Sequence, residues 1–301
     1  MNDDAPRRAR SMAEMAEVSA RLFSREKVFA SIANFHPQPS DIIISPFAKC
    51  GTTWLQQSFH TLRTRGDMDF DDISRVVPWI ETAGGLGLDL DAPQRGAPRG
   101  FKSHLAYDAI PKGARYVVSF RDPKDALVSH YRFMEGWWFE KGSIPLEDFA
   151  RTRLSERGNK RDYWHHLLSW WAERDNPDVL LFSYEHMSRE PAAHTKRLAE
   201  FCGLSLDDEL LALTLERSAL PFMLAHKDRF DDKMMRDLSE SVGGLPKGSD
   251  SAKVRKGEVG NGRAEMTPEI AQMLDDAWRE TVAPATGFPD YASFEKALKE
   301  R

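Results

Sequence analysis

Lys49, Gly51, Thr52 and Thr53 fall in the stretch SPFAKCGTTWLQQ (45–57), between an apolar run and the start of a helical pattern. A loop leading from a buried strand into a helix presents unpaired N–H groups and the positive end of the helix dipole, which suits an anion such as phosphate. Here Gly51 lets the backbone come close, the two threonines add hydroxyl donors, and Lys49 adds a mobile positive charge. A surface lysine beside a helix cap is the plain alternative. The stretch is not a Walker loop, in which lysine follows the second glycine and the next hydroxyl holds magnesium. In this chain lysine precedes the glycine by two positions and no first glycine exists, so a metal-dependent nucleoside triphosphatase is disfavoured. Cys50, beside Lys49 at a helix start, has a setting that favours the thiolate. A small buried thiol is the other reading, and the one preferred.

Two further cationic groups follow. SFRDPKDALVSHY (119–131) places Arg121 at the end of an apolar run and Ser129 about two turns into the next helix, where both could face a ligand at one sheet edge. The alternative is a solvated cap in which Arg121, Asp122, Lys124 and Asp125 pair with one another. KVRKGEVGNGR (253–263) carries Arg255, Lys256 and Gly257 after a long polar approach. Three anion-prone segments in a chain of formal charge −5 suggest a ligand with two separate phosphate groups.

The elements that must position these residues alternate. DIIIS (41–45), ARYVVSF (114–120) and DVLLFSY (178–184) are short apolar runs that read as strands buried on both faces. Helical spacing of Trp54, Leu55, Phe59 and Leu62 follows the first and stops at Gly66. Asp122 as N-cap and Pro123 at the first helical position open the helix after the second, and EPAAHTKRLAEFCG (190–203) follows the third, with Gly203 as its stop. Strands alternating with helices predict an α/β fold with a mostly parallel sheet covered on both faces. Residues 84–100 are rich in Gly and Pro, and 227–265 hold many charges and glycines but few apolar side chains, the pattern of a lid or loop segment. The first 20 residues or so are expected to be disordered.

At 301 residues, one domain with generous insertions is expected. With 41% apolar and 30% charged residues the chain reads as soluble and globular. Its negative charge argues against nonspecific nucleic-acid binding. Two cysteines, Cys50 and Cys202, cannot build a disulfide framework. The charged N-terminus has no apolar signal core, and no later run approaches the ~20 apolar residues of a membrane span. A cytoplasmic location is the expectation.

The order and content of these segments resemble the cytosolic sulfotransferase family, which uses 3′-phosphoadenosine 5′-phosphosulfate as donor. The family's Pro-Lys-Ser-Gly-Thr-Thr-Trp appears as FAKCGTTW, its Lys-x-His as FKSHL, its Arg-x-Pro-Lys-Asp with serine four residues later as RDPKDALVS, and its Arg-Lys-Gly-x-x-Gly as RKGEVG. They occur in the family's order between about residues 36 and 263. SYEHM and DDAWRETVAPATGF are weaker matches. The resemblance implies one domain over residues 1–301, with a P-loop-like strand, loop and helix. It implies that Lys49, Cys50, Gly51, Thr52 and Thr53 bind the 5′-phosphate, and that Arg121, Ser129, Arg255, Lys256 and Gly257 hold the 3′-phosphate. Trp54, Tyr184, Ser218 and Leu220 would surround the adenine, and His104 would be the catalytic base with Lys102 beside it. Cys50 replaces the usual serine, Phe47 stands where proline or tyrosine is common, and Leu220 stands where a stacking aromatic is expected. GNGR replaces Gly-Asp-Trp-Lys.

The residue types agree with sulfuryl transfer, which needs one group to remove the acceptor's hydroxyl proton and another to stabilise the leaving phosphate. His104 and Lys49 fit those roles, with Lys102 and Ser129 as further catalytic candidates. An unperturbed histidine titrates near neutral pH, as a base should. Adenosine 3′,5′-bisphosphate would be the product, and no metal is required. Tyr131, Phe133, Met134, Trp137, Trp138 and Phe139 in YRFMEGWWFEKG (131–142) are candidates for an apolar acceptor wall, against ordinary helix packing. They point to a small apolar alcohol or phenol as partner. A nucleotide kinase and a non-catalytic nucleotide-binding relative are the alternatives. The family's short C-terminal dimerisation motif is not recognisable, which leaves monomer and homodimer both open.

Overall fold

A computed structural model describes residues 6–249 and 260–299. Its centre is a parallel four-stranded sheet in the order β2-β1-β3-β4, made of β1 (Ile42–Ile44), β2 (Gly100–Lys102), β3 (Arg115–Phe120) and β4 (Val179–Ser183). Three of these are the apolar runs read from the sequence. β2 is the strand that reading missed, because it is three residues long and follows a Gly- and Pro-rich approach. Tyr184, expected at the end of a strand, instead begins the short helix Tyr184–Arg189, where the Ser183 hydroxyl caps His186 N–H.

Alternation along the strands sends side chains to opposite faces. Ile43, Phe101, Val118 and Leu181 join one buried cluster with Trp170 and Phe294. Ile42, Ile44, Val117, Leu180 and Phe182 join another, with Leu55, Phe59 and Leu62 of the helix α1 (Thr52–Thr64). Burial on both faces is what near-continuous apolar strands require. The spacing of Leu55, Phe59 and Leu62 puts them on one side of α1, and left-handed Arg65 and Gly66 end it. α2 (Pro123–Trp137) begins as expected, with the Asp122 carboxylate accepting from Lys124 N–H at 2.8 Å and Pro123 at its first position.

The strand order fixes where a ligand can sit. From β1 the chain runs to β2 on one side, and β3 then pairs with β1 on the other, so the crevice at the carboxyl ends of β1 and β3 is a topological switch point. The loop holding Lys49 leaves β1 there, and Arg121 follows β3 there.

Two segments expected to lack regular structure carry helices. Residues Met12–Leu22 form a helix rather than a disordered lead, because Met15, Val18 and Leu22 share a face packed among Met134, Trp137, Trp138 and Phe139. Within 227–249, Lys227–Phe230 and Lys233–Val242 are helical, anchored by buried Phe230 and Met235. Arg255, Lys256 and Gly257 lie outside the described residues. Among the described residues no helix is long and apolar enough to cross a membrane.

Candidate active site

The loop between β1 and α1 is held from behind by its carbonyls. His166 Nε2 lies 3.0 Å from Ser45 O, His104 Nδ1 2.8 Å from Pro46 O, and Arg121 donates to Lys49 O at 3.1 Å. Cys50 N–H donates to Phe47 O, and the Ser119 hydroxyl donates to Cys50 O. With the carbonyls committed to the protein, the loop is set to offer N–H groups at the start of α1, where Gly51 supplies no side-chain cap. Gly51 has φ 103°, and a Cβ there would stand 3.1 Å from the Tyr184 ring and 3.3 Å from Ser119 Oγ. Lys49 also sits in the left-handed region, at φ 68°, a conformation that costs a non-glycine residue roughly 1–2 kcal/mol. Thr52 Oγ1 is buried and has no hydrogen-bond partner, as a hydroxyl awaiting a ligand would be.

A cavity of about 680 Å³ opens in front of this loop. Lys49, Gly51, Thr52, Thr53, Trp54, Lys102, His104, Arg121, Ser129, Tyr184, Ser218 and Leu220 all line it. The remaining described candidate, Cys50, does not. It is buried, and burial pushes its thiol up to about 12, the reverse of an activated thiolate. The Arg121 guanidinium lies over the Tyr184 ring at 4.3 Å, and Trp54 meets Tyr184 edge-on. Ser218 reaches the cavity with its hydroxyl already donated to Thr214 O at 2.7 Å. Of the charges considered as a self-paired cap, two turn elsewhere: Lys124 pairs with Asp275, and the buried Asp125 carboxylate accepts from Gly260 and Gly262 N–H at 2.7 and 3.0 Å.

His104 stands half-buried in the wall, its backbone N–H donating to Glu81 Oε1 at 2.7 Å. A carbonyl can only accept, so the contact with Pro46 O puts a proton on Nδ1 and leaves Nε2 as the basic nitrogen of the neutral ring. The expectation of an unperturbed histidine is corrected: burial first, then the neighbouring Lys102 charge, lower its pKa to about 3. The ring is therefore neutral throughout the physiological range. Lys102, at the end of β2, sets its ammonium 3.2 Å from Asp232 Oδ2 and 4.0 Å over the Trp79 ring.

Much of the remaining lining is apolar. Phe133, Met134, Trp137 and Trp138 contribute to it as expected, together with Phe23, Trp79, Met223 and Met235, which sequence reasoning missed. Tyr131 and Phe139 do not. Tyr131 donates its hydroxyl to Ile144 O, and both rings pack against one another and, with Phe149, in the buried cluster. No spacing signal could have found Phe23 or Asp232, which arrive from distant parts of the chain.

The sequence profile of the sulfotransferase domain matches residues 39–286. The chain belongs to the sulfotransferase domain family. Its activity is that of a transferase of sulfur-containing groups. Among curated relatives, this sulfotransferase is 24% identical to luciferin sulfotransferase of Photinus pyralis, over 84% of this chain and 74% of that one. It is 28% identical to cytosolic sulfotransferase 13 of Arabidopsis thaliana, over 85% and 81%. Its fold is similar to that of retinol dehydratase, solved with androsterone and the inactive cofactor PAP, at 18% identity and a TM-score of 0.69, covering 92% of this chain and 95% of that one. A mouse sulfotransferase complexed with PAP gives 20% identity and a TM-score of 0.66, over 92% and 95%.

Proposed function

We propose that the cavity binds 3′-phosphoadenosine 5′-phosphosulfate and transfers its sulfuryl group to the hydroxyl of a small apolar alcohol or phenol, with His104 as base. The observation that carries this reading is the 2.8 Å contact between His104 Nδ1 and Pro46 O. The Nδ1–H is committed to Pro46 O, which leaves the Nε2 lone pair as the ring's only base, in a cavity that also holds Lys49 and the open helix start. Lys49, Gly51, Thr52 and Thr53 take the 5′-phosphate, and Arg121 and Ser129 take the 3′-phosphate. Arg255, Lys256 and Gly257 are assigned to the 3′-phosphate by motif alone. Trp54 and Tyr184 offer aromatic faces to the adenine, beside Ser218 and Leu220. PAP in the fold's solved neighbours supports the donor class.

In the transfer, Nε2 of His104 accepts the acceptor's hydroxyl proton as its oxygen forms a bond to sulfur. The bond from sulfur to the bridging oxygen breaks, and its electron pair leaves with adenosine 3′,5′-bisphosphate. Lys49 and Lys102 offset the charge on the leaving oxygen and the sulfuryl group, and Ser129 contributes a hydrogen bond. The low proton affinity of His104 keeps it in the basic form at every working pH, and an arriving anion raises that affinity as negative charge gathers beside it.

A panel of alcohols and phenols incubated with labelled donor, read by mass shift, tests the reaction class. His104→Ala should lower kcat by roughly 10² to 10⁴ while donor affinity stays nearly unchanged. Near-wild-type turnover in that variant removes His104 from the mechanism.

A further inference from the structure

We infer that Asp232 is a positioning residue for Lys102, holding its ammonium at the point where the acceptor half of the cavity meets the reacting groups. The inference rests on the catalytic role proposed above for Lys102.

Lys102 is 2% exposed and Asp232 is 4% exposed, and both line the cavity. The ammonium lies 3.2 and 3.4 Å from the two Asp232 oxygens. The same ammonium sits over the face of Trp79, whose ring meets His104 edge-on at 5.2 Å. Lysine carries its charge on a flexible four-carbon stem, so a fixed position at a reacting centre has to come from its surroundings. A carboxylate on one side and a ring face on the other supply it.

Asp232 is itself held. Its Oδ1 accepts from the Ser74 hydroxyl at 2.9 Å. Asp72 ties the same region together, one oxygen accepting from Ser74 N–H at 2.8 Å and the other from Met234 N–H at 3.0 Å. The short helix Ile73–Val76 and the start of the helix Lys233–Val242 are thereby fastened on either side of Asp232. The backbone of Asp232 is left-handed, at φ 46° and ψ 58°. Such strain in a non-glycine residue persists only where the surroundings over-determine it, and it gathers at functional sites. The path Ser74–Asp232–Lys102 joins three segments far apart in sequence, and it ends on a residue of the proposed reaction.

Asp232→Asn keeps the side chain's shape and an acceptor for Ser74 while removing the charge. With 2-naphthol, or the panel's best acceptor, its kcat should fall roughly 10- to 100-fold, the scale of a misplaced catalytic group. Affinity for adenosine 3′,5′-bisphosphate, which lacks the sulfuryl group, should stay within about 2-fold. In a Lys102→Ala background the same substitution should have almost no further effect on kcat, because the residue it acts through is gone. Ser74→Ala, which leaves both charges but removes one hydrogen bond that holds the carboxylate, should lower kcat about 3-fold and be neutral in the Lys102→Ala background. If Asp232→Asn does not fold, Ser74→Ala and its cycle with Lys102→Ala decide the question. Unchanged kcat in Lys102→Ala overturns the role of Lys102 itself. A loss in Lys102→Ala with wild-type kcat in the other two overturns the positioning. So do losses that multiply across the cycle, or bisphosphate affinity that falls in step with kcat.

Discussion

Lowering the pH from 7.5 to 5.5 should destabilise this protein by several kcal/mol, and the cause is its buried neutral histidines. His60, His166 and His194 are each 2% exposed or less, and burial, the first cause in every case, brings each pKa to about 3. Hydrogen bonding agrees with the neutral form: Arg63 donates to His60 Nδ1, His166 Nε2 is bound to Ser45 O, and neither ring nitrogen of His194 has a partner among its apolar neighbours Phe182 and Trp54. In the unfolded chain a histidine takes its proton near pH 6.5, whereas these take it near 3. Their contribution is complete above 6.5 and is lost as pH falls towards 3. Across the two units from 7.5 to 5.5 each costs about 1.4 kcal/mol, so three cost about 4 kcal/mol, against a typical total stability of ~5–15 kcal/mol. His104 and His130 shift in the same direction. Glu81 and Glu185, whose pKa values are raised by burial, act in the opposite sense as pH falls from their folded values towards the ordinary carboxylate range, and offset part of the loss. Urea unfolding followed by the fluorescence of the eight tryptophans at the two pH values measures the difference. His194→Leu should remove about 1.4 kcal/mol of it, because it deletes one buried base and breaks no hydrogen bond. Equal stability at both pH values, or an undiminished difference in His194→Leu, would refute the reasoning.

Adenosine 3′,5′-bisphosphate should bind far more tightly than 5′-AMP, and Arg121→Ala should shrink that preference by ~1.5–3 kcal/mol, the worth of one charged hydrogen bond, in isothermal calorimetry. Equal binding of the two nucleotides by the wild type removes Arg121 and Ser129 from the 3′-phosphate. Cys50 should react with iodoacetamide no faster than Cys202, since burial raises both thiols to about 12, and Cys50→Ser should keep full activity. Peptide mapping after brief alkylation checks this, and preferential labelling of Cys50 contradicts the burial argument.

Much of this protein follows from short-range rules, and those parts were readable in the sequence. Ile42 to Ile44 need two apolar faces, Asp122 and Pro123 can only open a helix, and Gly51 supplies a backbone conformation that side chains resist, whatever lies elsewhere. The cationic segments could be found because each is contiguous and lies at a strand-to-helix junction. Their convergence on one crevice follows from the strand order, which no local signal encodes. Tertiary packing alone decided the rest. It chose which aromatics after Ser129 face the cavity and which face the core, it brought Phe23 and Asp232 to a site centred far from them in sequence, and it made a strand of Gly100–Lys102 by pairing it with β1. It also desolvated His104 and Cys50, which lowers the pKa of the imidazole and raises that of the thiol. A residue's type fixes which charges it can carry, while the solvent it loses and the charges packed beside it fix which one it does carry.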